Sequence, residues 1–327
     1  MPAARLEDGV HVKEFWEPWE EVASSWSEVE QLVHDVFDRW ADQGRLFAWR
    51  GQTNADWALW SSLYRQLTWS SPTRTPPNER ALYEAESRIL EDIRSWGLHM
   101  AEYGRLSTLG QLAVLQHYGT PTRLLDVTFN PWIALWFAVE QKWKDGAPLP
   151  DSDTRLFAVD VTNRIINDNP EFRDWEDSMT APWPSPPPDT ALAEVKRAHR
   201  KWTSRVWAWR PPHFHPRLAA QNGGFLFSGA PVTGGSTVWP QSTGASAPRW
   251  KADDVRQATS LGLRVHKLHH GAGRPASNAA YTIRIQASAA PEIRDRLQRL
   301  FGYEHRTIYP DYTGFASYGT QYLKSKP

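Results

Sequence analysis

Residues 112–140 read LAVLQHYGTPTRLLDVTFNPWIALWFAVE, and this stretch decides the fold class. Ser107 precedes leucines at 109, 112 and 115, which predicts a helix that Gly119-Thr120-Pro121 breaks. Thr122–Thr128 (TRLLDVT) then reads as a strand, whose period of two sets Leu124, Asp126 and Thr128 on one face. Asn130-Pro131 opens a second helix, with Asn as cap and Pro in the first turn. Trp132, Leu135, Trp136, Val139 and Trp143 give that helix an apolar stripe.

Outward from this unit the two periods mix without regular alternation. Ser27–Trp40 is predicted helical, with Val29, Leu32, Val33, Val36, Phe37 and Trp40 on one side. Leu46–Gly51 (LFAWRG) is a short strand ending in Arg–Gly. Asn78 caps a long helix expected to reach about Tyr103, with Leu82, Ala85, Ile89, Ile93, Trp96 and Met100 recurring every three or four residues. Arg155–Val161 (RLFAVDV) suits an interior strand. A helix is expected within 190–202, a strand at Tyr281–Gln286, a helix at Pro291–Phe301 and a last helical piece from Tyr312. The expected class is therefore α+β, with a mixed or antiparallel sheet core and surrounding helices. The organisation expected is an acidic helical extension over 1–44 and a main domain over 45–327. Flexible insertions are expected around 168–190 and 229–280, where Pro, Gly, Ser and Ala accumulate.

Hydrophobic content of 40% and charged content of 23% over 327 residues suit a globular chain with a sizeable core. The absence of cysteine excludes disulfides, zinc–thiolate sites, iron–sulfur clusters and a cysteine nucleophile. The start carries no secretory pattern and no run of about 18 apolar residues occurs, so a cytoplasmic protein without a membrane partner is expected. Net charge is +0, yet residues 1–45 hold eleven acids against four Lys/Arg (−7), while 195–252 hold nine Lys/Arg and no acid (+9). A segment so basic suggests a nucleic-acid or protein acceptor, or else packing against the acidic segment. Of the 19 Trp most belong in a core, while Trp202, Trp207 and Trp209 in the basic segment are candidates for stacking on a base or a nicotinamide ring.

Two groups of residues point to chemistry. Arg50 offers a fork matched to phosphate, and Gly51 beside it leaves room for a ligand to approach the backbone. The strand-to-helix corner gathers Asp126, Thr128 and Asn130, with His117 just upstream, at the kind of helix N-terminus that holds anions. His117 also reads as a satisfied core imidazole, and Asp126 as a partner for Arg123 or the helix cap. Pro188-Asp189 with Glu194-Val195-Lys196 resembles a nuclease pattern but falls between a proline run and a helix rather than on strands. His213/His215 are hemmed in by prolines and His266/His269/His270 adjoin a Gly-rich loop without partnering carboxylates, so no metal site is expected.

WRGQ at 49–52, W-x-L at 57–59, S-L-x-R at 62–65 and LQHYGTPTRLLDVTFNPWIALWFA at 115–138 resemble the FRG domain family. RLAAQNGGF at 217–225 and IYPDYTGFASY at 308–318 resemble its later motifs. Trp49 stands where that family has Phe or Tyr, and Val127 where Trp is common. The family is bacterial and phage-borne, which implies a toxin or phage-defence effector, with an antitoxin as an expected partner. The order of strand-Arg, hydroxyl-bearing strand and later Gln/Glu also resembles Arg–Ser–Glu ADP-ribosyltransferases. That resemblance implies NAD as substrate and an ADP-ribosyltransferase-like fold. Arg50 would hold an NAD phosphate, Asp126-Val127-Thr128 would line the nicotinamide-ribose pocket, and Gln221 would stand at the Glu position. Residues expected to act in catalysis are His117, Asp126 and Gln221; those expected to bind NAD are Arg50, Gly51, Thr128 and Asn130. The alternative carried beside it is a non-catalytic nucleotide- or nucleic-acid-binding module.

Overall fold

The computed structural model describes residues 12–40, 43–101, 104–144, 147–212, 216–231, 252–269 and 279–319. His213, His215 and His270, and much of the 229–280 stretch, lie outside the described residues.

Eight strands form one mixed sheet: β1 (Glu20–Ala23), β2 (Phe47–Gln52), β3 (Leu125–Thr128), β4 (Thr154–Asp160), β5 (Trp207–Trp209), β6 (Gly223–Phe227), β7 (Arg264–Val265) and β8 (Ala279–Ile285). Their order is β1-β8-β4-β2-β3-β6-β5, with β7 also on β8. The β1–β8 and β7–β8 pairs are parallel and the rest antiparallel, so the α+β expectation holds. The helices that matter below are α1 (Trp26–Asp38), α2 (Ser62–Ser70), α3 (Glu79–Ser95), α4 (Thr108–His117), α5 (Pro131–Val139), α6 (Ala193–Thr203), α7 (Pro216–Ala220), α8 (Ala252–Ala258), α9 (Ala290–Phe301) and α10 (His305–Ile308).

Period-two alternation sends Trp49, Leu156, Ala158, Tyr281 and Ile283 to one face, where α1, α5 and α9 bury them. Ala48, Val127, Phe157, Val159 and Leu226 face the other way, against Phe15, Trp16 and the α8 region. Residues before position 45 are thus integral: β1 extends the sheet, and Trp26, Val29, Val33 and Val36 of α1 sit in the same core as α5. Beyond β6 a third cluster joins Leu109 and Leu112 of α4 to the tryptophans. Trp202, Trp207 and Trp209 are 2–3% exposed, so they pack with Phe172, Phe225 and Phe227 and offer no stacking platform to a ligand. Arg123 is fully buried between Glu86 (2.8 Å) and Glu79 (3.2 Å), which ties the strand motif to α3 and leaves Asp126 without it.

Several boundaries shift for identifiable reasons. α3 starts on the Asn78 cap (Oδ1 accepting from Ala81 N at 2.9 Å) but stops at Ser95, because Gly97 adopts φ +73°. The central strand begins at Leu125 rather than Thr122: Thr122 instead bonds Ser62 and Leu63 across to α2. Among the described residues no helix is long and apolar enough to cross a membrane.

Candidate functional site

Three neighbouring strands organise the site. Trp49 of β2 lies opposite Thr128 of β3, and Thr128 lies opposite Gly223 of β6. This row spans two strand spacings, roughly 10 Å. Arg50 is one residue from it, Asp126 two residues and Gln221 two residues. The Arg strand, the hydroxyl strand and the glutamine turn are therefore direct neighbours, although they are up to about 170 positions apart in the chain.

At the β2 side, pairing with β3 is a single residue pair, and the strands then part. Arg50 fills the gap: its Nη1 donates to the Asp126 carbonyl at 2.6 Å. Its Nε is buried and has no hydrogen-bond partner among the described residues. Burial is the main cause that lowers the Arg50 pKa; the Asp126 carboxylate opposes this and the nearby Arg65 guanidinium adds to it. Arg65, one α2 turn into the S-L-x-R motif, lies 5.4 Å over Trp69, and burial lowers its pKa too. The exposed Asp126 carboxylate accepts from Gln116 Nε2 at 2.8 Å, and Gln116 Oε1 in turn accepts from the Thr122 hydroxyl. The α4 residue on Asp126 is thus Gln116. His117, the last residue of α4, is half-buried with its ring edge-on to Tyr118 at 5.0 Å.

Gly51 faces α5. A Cβ there would collide with the Ala134 carbonyl and come within 2.6 Å of Ala138 N, so the close approach this glycine permits is that of a helix.

The other end of β3 is held by side chains bonded within the fold. Thr128 Oγ1 accepts from Asn130 N at 3.0 Å. Asn130 Oδ1 caps α5 through Trp132 N at 2.9 Å, and its Nδ2 donates to the Tyr303 hydroxyl at 3.1 Å. Gln221 directly follows α7 and donates from Nε2 to the Ile308 carbonyl at 3.0 Å. The C-terminal segment secures this corner further: Arg217 grips Asp311 with two bonds of 2.7 Å, and Tyr309 donates to Glu140 at 2.9 Å. Burial above all pushes the Tyr309 hydroxyl well above the usual phenol range.

The structure therefore brings Arg50 and Asp126 together, with Gln116 and Arg65 added, and sets Thr128, Asn130 and Gln221 as a second group under residues 303–311. Gln116, Arg65, Arg217 and Asp311 lie within the quoted motifs, but spacing along the chain gave no sign of which partners they would meet. Among known proteins, no curated sequence and no solved structure matches the chain. The model of one family, described as the FRG domain, matches residues 45–146, which contain β2, Arg65, α4, β3 and α5. Over those residues the chain carries an FRG domain.

Proposed function

We propose that the protein is an ADP-ribosyltransferase-like enzyme of a bacterial toxin or phage-defence kind, which binds NAD at the β2–β3–β6 row. The observation that carries this reading is the adjacency of β2 with Arg50, β3 with Asp126 and Thr128, and β6 with Gln221 in the turn that leads into it. The unpartnered Arg50 Nε, with Arg65 beside it, suits a pyrophosphate, to which a guanidinium fork donates bidentately.

In this scheme the bond between the ribose C1′ and the nicotinamide nitrogen breaks, and nicotinamide leaves with the electron pair. Positive charge develops on the ribose. Gln221 is neutral and serves to orient ribose hydroxyls, so the Asp126 carboxylate supplies the stabilising negative charge. The acceptor's nucleophilic atom bonds to C1′ and its proton passes to His117. With water as acceptor, the product is free ADP-ribose. The basic 195–252 segment favours a nucleic-acid acceptor over a protein, and an antitoxin would restrain the activity.

A second reading has its own observation: Thr128, Asn130 and Gln221 all make hydrogen bonds inside the fold, as in a module that binds a nucleotide without turning it over. Incubation with nicotinamide-labelled NAD separates the two. The enzyme reading expects nicotinamide release by the wild type, reduced about a hundredfold in Asp126→Asn and abolished in Arg50→Ala. NAD recovered intact after saturable binding selects the binding module, and absence of both binding and cleavage removes both readings.

A further inference from the structure

Beyond the C-terminal end of β4, a second group of arginines makes no ion pair among the described residues. Arg164 follows β4, and its carbonyl accepts from Ala208 N of β5 at 3.0 Å. Arg205 precedes β5, and its backbone packs where a Cβ on Gly262 would come within 2.8 Å of Arg205 N. Arg264 begins β7, two residues beyond Gly262. Three separate chain segments thus bring an arginine to one region, near enough for the charges of Arg205 and Arg264 to act on Arg164.

Their surroundings are what make the group unusual. Arg164 is 7% exposed, yet its side chain has no hydrogen-bond or ion-pair partner among the described residues, and its Nη1 is wholly buried without one. The carboxylate facing it, Asp160, is already engaged by Arg45 at 2.6 Å and by Thr162 N at 3.0 Å. Arg205 and Arg264 are exposed, and neither has an ion pair among the described residues. The Arg164 pKa falls to about 10, through burial first and the Arg205 field second, with Asp160 opposing and Arg264 adding. A buried cation without a partner is among the most expensive arrangements a fold can keep, and two like charges beside it increase that cost. An oxyanion bound among the three would relieve it.

We propose that Arg164, Arg205 and Arg264 form a phosphate-binding site, separate from the NAD row and independent of it. Arg164 supplies a fixed buried donor at its floor, and Arg205 and Arg264 close over the anion from the solvent side. The recognised group is a phosphate, from either a nucleic-acid backbone or a free phosphorylated small molecule.

The full-length protein, with inorganic pyrophosphate and a labelled single-stranded oligonucleotide as probes, tests this. Pyrophosphate should raise the Tm of the wild type, and this shift should vanish in Arg164→Met and in the exposed double variant Arg205→Ala/Arg264→Ala. In phosphate-free buffer Arg164→Met should be at least as stable as the wild type, because it removes an unpaired buried charge. An oligonucleotide affinity that drops about tenfold or more in the double variant, with the salt slope reduced by about two, identifies backbone phosphates as the source. A pyrophosphate response with oligonucleotide binding unchanged by the variants identifies a small phosphorylated ligand. The site is overturned if both probes treat the double variant as wild type, or if Arg50→Ala rather than these variants abolishes the pyrophosphate shift.

Discussion

An added methyl at Gly51 would meet the Ala134 carbonyl and Ala138 N of α5, and neither is the movable end of a side chain. Gly51→Ala should therefore lower the stability of the whole protein by about 3 kcal/mol, the upper range for overpacking, read as a shift in urea midpoint. An unchanged midpoint would show that α5 yields easily and that the glycine serves something else. Arg50 has a different standing. Its side-chain bond to a backbone carbonyl explains why an arginine can sit in the gap between β2 and β3, while its Nε, without a partner among the described residues, leaves a donor for a ligand. The sequence made the pair visible as a unit, but which neighbour needs the glycine was not readable from it. That depends on α5 crossing β2, a contact between residues more than 80 positions apart.

At the scale of elements, the strand-to-helix unit was the most legible part of the chain. The Asn130 cap, the proline after it and the apolar run of α5 are all local signals, and the structure keeps them. Asn130 also reaches Tyr303, a second role with no local signature. Asn130→Ala should thus cost about 1–2 kcal/mol, a cap and a side-chain bond together, whereas Tyr303→Phe loses only the latter. Equal losses in urea melts would mean that the cap contributes nothing. Where local signals failed, a tertiary or backbone feature explains it. Gly97 in the left-handed region cut short the helix expected to reach Tyr103, and Thr122 was drawn from the strand by bonds to α2. Burial of Trp202, Trp207 and Trp209 was equally hidden, because it arises from the packing of α6 and β5 against β6.

At the scale of the molecule, residues far apart in sequence set both stability and the make-up of the candidate site. His266 is held neutral, its pKa lowered to about 4 by burial first and by the fields of Arg264 and Arg39. The unfolded chain takes up that proton near pH 6.5, so unfolding binds a proton between the two values. Stability is then complete above pH 6.5 and falls as the pH drops toward 4. His305 and His199 are also lowered by burial and act in the same direction. Thermal melts from pH 7 to 4 should show a declining Tm, with a shallower decline in His266→Gln; parallel curves would contradict this assignment. The sheet order is likewise a property of the whole chain. It sets β2, β3 and β6 side by side, so that Arg50 and Asp126 meet at one end of the Trp49–Thr128–Gly223 row and Gln221 lies at the other. Calorimetric titration of NAD into the wild type and Arg50→Lys tests that arrangement most directly, since lysine keeps the charge but not the fork. The account predicts saturable NAD binding by the wild type and a loss of about a hundredfold in Arg50→Lys, with the melting curve unchanged. Equal affinity in the two proteins, or no heat of binding from the wild type, would contradict it.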